Sequence, residues 1–289
     1  MARYTFGGDE HLLVEIDAEM SLQAFSRALG ICNGIRESGI RGVTEICPAN
    51  ASLLLRFDPD IIEPETLLRE VKQIEASLGA EMAPLSTRVI ELPVYFDDPW
   101  TRETLMRFRD RHQDPNSTDL EYSARVNGYP GVDKYIEAFT SAPWFVSMVG
   151  FVAGDPFLFQ MVERARQLEV PKYVRPRTDT PRLCVAHGGC FSGIYPVRGA
   201  GGYQMYGITP LPIYDPSQST PYLRDFMILF QPGDIVKYRA IGREEYDDIV
   251  DEIDTGRFVL NEKPVSFSLK EFKAAPTAYG NSIVEALYA

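Results

Sequence analysis

The chain is poor in the residues that most often announce a function. Four cysteines, Cys32, Cys47, Cys184 and Cys190, are spread through 289 residues. That is too few for a disulfide framework, and a reducing cytosol is the expected setting. No apolar run approaches the roughly 18 residues that a membrane span needs, and the opening residues carry no apolar core of a secretory signal. Positive charge is also short: 29 Lys and Arg against 41 Asp and Glu give a net charge of −12. So acidic a chain repels a phosphate backbone, which excludes nucleic acid as the first expectation. No Gly-Lys-Ser/Thr follows a glycine loop, and no strand leads into Gly-x-Gly-x-x-Gly, so neither nucleotide fingerprint is present.

What remains is ordinary globular material, 45% hydrophobic and 24% charged, in a length that suits two domains. Residues 1–88 alternate short strands and helices. Leu12–Ile16, Val43–Cys47 and Ser52–Phe57 read as strands. Ser21–Leu29 reads as a helix, and Pro64 with Leu67, Leu68, Val71, Ile74 and Leu78 marks a second that stops at Gly79. This order predicts a small α+β layer with helices on one face of a mostly antiparallel sheet. Met82–Ser86 reads as a linker. From Val89 glycine and proline become dense. Helical pieces are expected over 100–140, a buried strand over Phe145–Phe151, and a helix from Asp155 (N-cap) and Pro156 (N1) to about Leu168. Short β segments over 182–240 predict a compact barrel or sandwich. A helix from Glu244 to Ile253, a strand and a tail complete an extension over 244–289.

The chemistry concentrates in one region. Gly188, Gly189, Gly193, Gly199, Gly201 and Gly202 fall within fifteen residues of one another. Glycine permits close backbone approach and exposes amide N–H groups, although the same pattern makes the turns of a tight barrel. Lys172, Arg175, Arg177, Arg182 and Arg198 form a basic cluster in the acidic chain, suited to carboxylate or phosphate recognition or to surface ion pairs. Cys184, His187 and Cys190 lie three apart, but residues three apart in a strand point to opposite faces, so no metal site is expected. Cys190 near His187 is either an activated thiol or a buried inert one. Asp97 and Asp98, before Pro99, read as a general base or as a helix cap.

A series of segments resembles one known family. Gly8-Asp9 precedes the first long strand, and Pro48, Ser52-Leu53-Leu54 and Phe57-Asp58-Pro59 follow. Then come Leu92-Pro93-Val94, Met148–Gly154, Ser192-Gly193-Ile194-Tyr195-Pro196, Gly201-Gly202-Tyr203, Gly207–Leu211 and Gln231–Asp234. In this order they resemble the carboxyltransferase-domain family, which includes allophanate hydrolase subunit 1, the small subunit of bacterial 5-oxoprolinase, the matching domain of urea carboxylase and a histidine-kinase inhibitor of sporulation. The resemblance implies a cyclophilin-like β-barrel over 89–243 after the small α+β domain. It also implies a homologous second subunit sharing the active site, a urea-like or cyclic-amide substrate, and carboxybiotin on a partner carrier or ATP as co-reactant. This sequence departs from the family pattern: Phe191 stands where the family carries Gln, Cys190 where it carries Gly, and Ile208 where it carries Arg.

On this resemblance Arg177, Tyr195 and the amides of Gly188, Gly189 and Gly193 are expected to hold a carboxylate or developing oxyanion, and Asp155 to move protons. Cys190, Ser192, Arg175 and Gly202 complete the expected substrate-binding set. A non-catalytic module that docks on a kinase is the alternative.

Overall fold

A computed structural model describes residues 2–79 and 83–289. Two compact units emerge: one from the N-terminal residues to Leu85 together with Phe267–Lys273, the other from Ser86–Ser266 and Ala274–Ala289.

The first unit contains β1 (Arg3–Gly7), β2 (His11–Glu15), α1 (Leu22–Ser38), β3 (Val43–Ala49), β4 (Ser52–Phe57) and α2 (Pro64–Ser77). Its sheet runs β1-β2-β4-β3, antiparallel throughout. Alternation explains the packing. Leu53, Leu55 and Phe57 of β4 are buried beside Leu12 and Val14 of β2, and α1 and α2 supply Ile31, Ile35, Leu67 and Val71 to the same core. Ser21 caps α1 by accepting from the Ala24 amide at 3.1 Å. Of the expected linker, Met82 lies outside the described residues, whereas Leu85 and Ser86 already belong to the next strand.

That strand is β5 (Leu85–Phe96), followed by α3 (Pro99–Phe108), α4 (Asp119–Val126), α5 (Val132–Ser141), β6 (Trp144–Val149) and β7 (Pro156–Gln160). Next come β8 (Arg177–Thr180), β9 (Cys184–Gly188), β10 (Phe191–Tyr195), β11 (Gly199–Gly201), β12 (Gln204–Ile208), β13 (Ile235–Ala240), α6 (Arg243–Asp254), β14 (Glu262–Phe267), α7 (Leu269–Ala274) and α8 (Pro276–Tyr288). The order β12-β9-β10-β7-β6-β13-β5 closes on itself through β12–β5, giving a seven-stranded barrel with β14 added outside β5. The fold is α+β, as expected. The pair β5–β13 is parallel. At the closing seam Gly207 pairs with Phe96, and a Cβ there would stand 2.5 Å from the Tyr95 carbonyl oxygen. Only glycine lets the two backbones meet. The buried interior is mostly aliphatic, with the aromatics Tyr135, Phe139, Trp144, Tyr206 and Tyr238 packed among Ile, Leu and Val.

The helix expected from Asp155 to Leu168 is overturned. Pro156–Gln160 is a strand, paired on one side with β6 (Met148 with Phe157) and on the other with β10 (Gly193 with Phe157). Phe157, Leu158 and Phe159 form a continuous apolar run, which suits a strand covered on both faces. Proline is tolerated as its first residue. A 3-10 turn at Arg164–Arg166 is the only helical piece of that stretch. Asp98 resolves as a helix cap: it accepts from the amides of Trp100 and Thr101 at 2.9 and 3.0 Å.

Candidate functional site

A cavity of about 350 Å³ opens on one side of the barrel. Its walls are mainly aromatic: Phe157 from β7, Tyr195 from β10 and Tyr203 before β12, with Phe151 from the β6–β7 loop. Phe157 and Tyr203 meet edge to face, their centroids 6.2 Å apart. Phe191, at the position where the family carries Gln, packs against Phe157 with centroids 6.0 Å apart. It thus backs the aromatic wall instead of offering a carboxamide.

Two charged residues line the cavity. Lys172 is exposed, with its Nζ 5.0 Å from the centroid of the Tyr203 ring. Asp155 is 5% exposed and ends the β6–β7 loop just before β7. Burial pushes its carboxyl pKa up to about 8, and the Ile194 backbone amide, which donates to it, opposes that shift. The loop is fixed by Gly150 N–H to Asp155 C=O at 2.9 Å and Asp155 N–H to Val152 C=O at 3.2 Å. Within it Phe151 holds a left-handed backbone, φ 66°, with 68% of its surface exposed.

Of the residues singled out in the sequence, Asp155, Tyr195, Gly193 and Gly202 line this cavity together. Arg177 does not. It is fully buried, although Pro176, Tyr195 and its strand partner Gly201 all line the wall. Its guanidinium carbon lies 4.3 Å from the Tyr173 ring centroid, and Nη2 donates to Thr180 Oγ1 at 3.4 Å. Its Nε and Nη1 find no partner among the described residues. The Tyr195 hydroxyl and Thr180 Oγ1 crowd the face of Gly201, where a Cβ would come within 2.5 and 2.7 Å of them. Burial raises the Tyr195 pKa to about 12, with Arg177 pulling the other way.

The remaining candidates serve the scaffold. A Cβ on Gly188 would collide with the Tyr203 ring, and the Gly189 amide donates to the Val170 carbonyl at 2.7 Å. Gly193 is laddered on both sides, to Ala186 and Phe157. With the Gly189 amide bound to Val170 and Gly193 held in the sheet, these amides do not form the expected three-amide oxyanion cradle. Ser192 is buried and bonds the Ala186 carbonyl at 3.2 Å and the Tyr238 hydroxyl at 2.8 Å. Arg175 is exposed and paired with Asp110 at 2.8 Å, and Arg198 pairs with Asp179 at 2.6 Å. Burial raises the Cys190 thiol pKa, the reverse of activation. His187 is enclosed by Phe139, Trp144 and Tyr206, and burial lowers its pKa to about 3. Among the described residues no three His, Cys, Asp or Glu side chains gather as metal ligands, and no helix is long and apolar enough to cross a membrane.

Sequence reasoning missed Phe157 as a wall residue. Had 156–160 been read as a strand, its position two residues beyond Asp155 would have put both on one face.

Comparison with known proteins adds the family. The model of the carboxyltransferase domain, subdomains C and D, matches residues 2–224. The chain is 27% identical over 249 residues to a subunit of the 5-oxoprolinase of Bacillus subtilis, covering 83% of this chain and 92% of that protein. It is 28% identical over 282 residues to urea amidolyase of Saccharomyces cerevisiae, covering 93% of this chain but only 15% of that enzyme. The urea amidolyase structure from K. lactis superposes over 100% of this chain with a TM-score of 0.86 at 25% identity, and the match spans 18% of that larger chain. These relatives are enzymes or enzyme subunits. The match over most of the chain, with the closed barrel beneath it, places this protein in the carboxyltransferase-domain family, subdomains C and D.

Proposed function

We propose that this chain is one component of a carboxyltransferase or amide-hydrolase enzyme and binds a small urea-like or cyclic-amide substrate in the aromatic cavity. The observation that carries this reading is the cavity itself. About 350 Å³ suits a small molecule rather than a polymer, and three aromatic walls beside a buried carboxyl favour a flat, hydrogen-bonding ligand. Relatives named for 5-oxoproline and for urea agree with that class. A homologous second subunit completes the active site on this reading, in keeping with a relative that is itself named as an enzyme subunit.

Two co-reactants follow from the family. A triphosphate does not fit these residues, because among the described residues Lys172 is the only cation of the cavity wall; no step is assigned to ATP on this chain. The flat ureido ring of a carrier-borne carboxybiotin is compatible with Phe157, Tyr195 and Tyr203, and when bound it supplies an activated carboxyl group. The chain's own part is to bind and orient the substrate and to exclude water. Arg177 acts from behind the wall as a fixed charge beside Tyr195.

Co-expression with a homologous second subunit tests the reading. A stable complex that turns over urea or 5-oxoproline, with ATP or with a carboxylated biotin carrier, is expected. A complex inert across that panel, with a sensor kinase captured instead, would replace this reading with the regulatory one.

A further inference from the structure

Among the described residues Asp155 is the only carboxyl on the cavity wall. Tyr195 of β10, Tyr203, Tyr238 of β13 and Cys184 of β9 are the titratable side chains that sense its charge, and none is cationic. Lys172 lines the same cavity but makes no ion pair with it; its ammonium sits over the Tyr203 ring. Gly193 borders the carboxyl on the same wall: a Cβ at that position would lie 3.5 Å from Asp155 Oδ1.

We propose that Asp155 acts as a neutral carboxylic acid that reads the cis-amide edge of the ligand, donating its O–H to the carbonyl and accepting the adjacent N–H. This rests on the cavity being the substrate site. A protonated carboxyl carries one donor and one acceptor side by side, whereas an ionised one carries two acceptors and would face a carbonyl with like polarity. A lactam, a cyclic ureido ring, urea and a primary amide all present N–H and C=O on one side. A secondary amide in an open chain is trans and presents them on opposite sides. The device therefore selects cyclic amides and ureas and rejects peptides. It also assigns Asp155 a recognition role in place of the proton transfer expected from the sequence. The high pKa of a buried, uncompensated carboxyl keeps the acid form at neutral pH.

Ligand-observed NMR titration of the chain, alone and in complex with the co-expressed second subunit, with pyrrolidinone, N-methylpyrrolidinone and N-methylacetamide tests this. Pyrrolidinone should bind at about pH 7, and the two analogues at least about tenfold more weakly, since each leaves one buried hydrogen bond unmade. Pyrrolidinone affinity should fall about tenfold by about pH 9 as the acid ionises. Asp155→Asn keeps a donor and an acceptor, so it should retain binding and lose the pH dependence; Asp155→Leu should lose binding. If pyrrolidinone and N-methylpyrrolidinone bind equally, or the affinity ignores pH and both variants, the recognition role of Asp155 is overturned while the cavity reading stands. If pyrrolidinone and urea fail to bind at any pH, the cavity reading itself falls and this inference with it.

Discussion

Replacing Asp155 by asparagine should flatten the pH dependence of folding stability. Unfolded, the carboxyl titrates near its ordinary value of 3.8; folded, burial holds its proton to about 8. The folded state therefore binds this proton more tightly. The group's favourable contribution is complete below about pH 4 and is lost progressively as pH rises to about 8. Each pH unit in that window is worth about 1.4 kcal/mol. At pH 7 roughly three such units lie behind, so Asp155 costs the fold about 4 kcal/mol relative to a side chain that cannot ionise. Urea unfolding of both proteins followed by circular dichroism, at intervals from about pH 5 to pH 9, isolates the effect, because every other titrating group is common to the pair. The advantage of Asp155→Asn should widen by about 1.4 kcal/mol per pH unit and then level near pH 8. A difference that stays constant across the range would refute the burial argument.

Three further outcomes test the structure. Phe151→Gly should be about 1 kcal/mol more stable than Phe151→Ala by thermal unfolding, because only alanine keeps the Cβ penalty of the left-handed backbone; equal melting would show no strain there. Ser192→Ala should cost about 1–3 kcal/mol by stranding the Tyr238 hydroxyl while leaving pyrrolidinone binding intact. Lost binding with unchanged stability would return Ser192 to the site. Gly207→Ala should cost at least about 2 kcal/mol, since both groups it meets are backbone, and a melt matching the parent would mean the seam yields freely.

The legible parts of the sequence were those whose signals are local. Pro64 with its apolar stripe gives α2, and the alternation of Leu53, Leu55 and Phe57 gives β4. The α+β class and the barrel followed from such pieces and from the family resemblance. Asp155-Pro156 shows the limit: an aspartate before a proline opens a helix or precedes a strand with equal local merit, and pairing with β6 and β10, invisible in sequence, decides. The site was legible to the same degree. Asp155, Tyr195, Gly193 and Gly202 converge, while Arg175 turns outward to Asp110 and Arg177 is fully buried. Residue type announced affinity for anions, but exposure and partners come only from the fold.

The N-terminal unit is not assembled from N-terminal residues alone. Phe267 and Phe272 are buried in it, and Lys273 Nζ reaches Gln23 Oε1 at 2.9 Å. During synthesis the first unit waits for a segment made only after the whole of residues 86–266. A cut after Leu85 therefore frees a fragment missing a piece of its own core, and any attempt to express the two units separately must carry residues 267–273 along with the first.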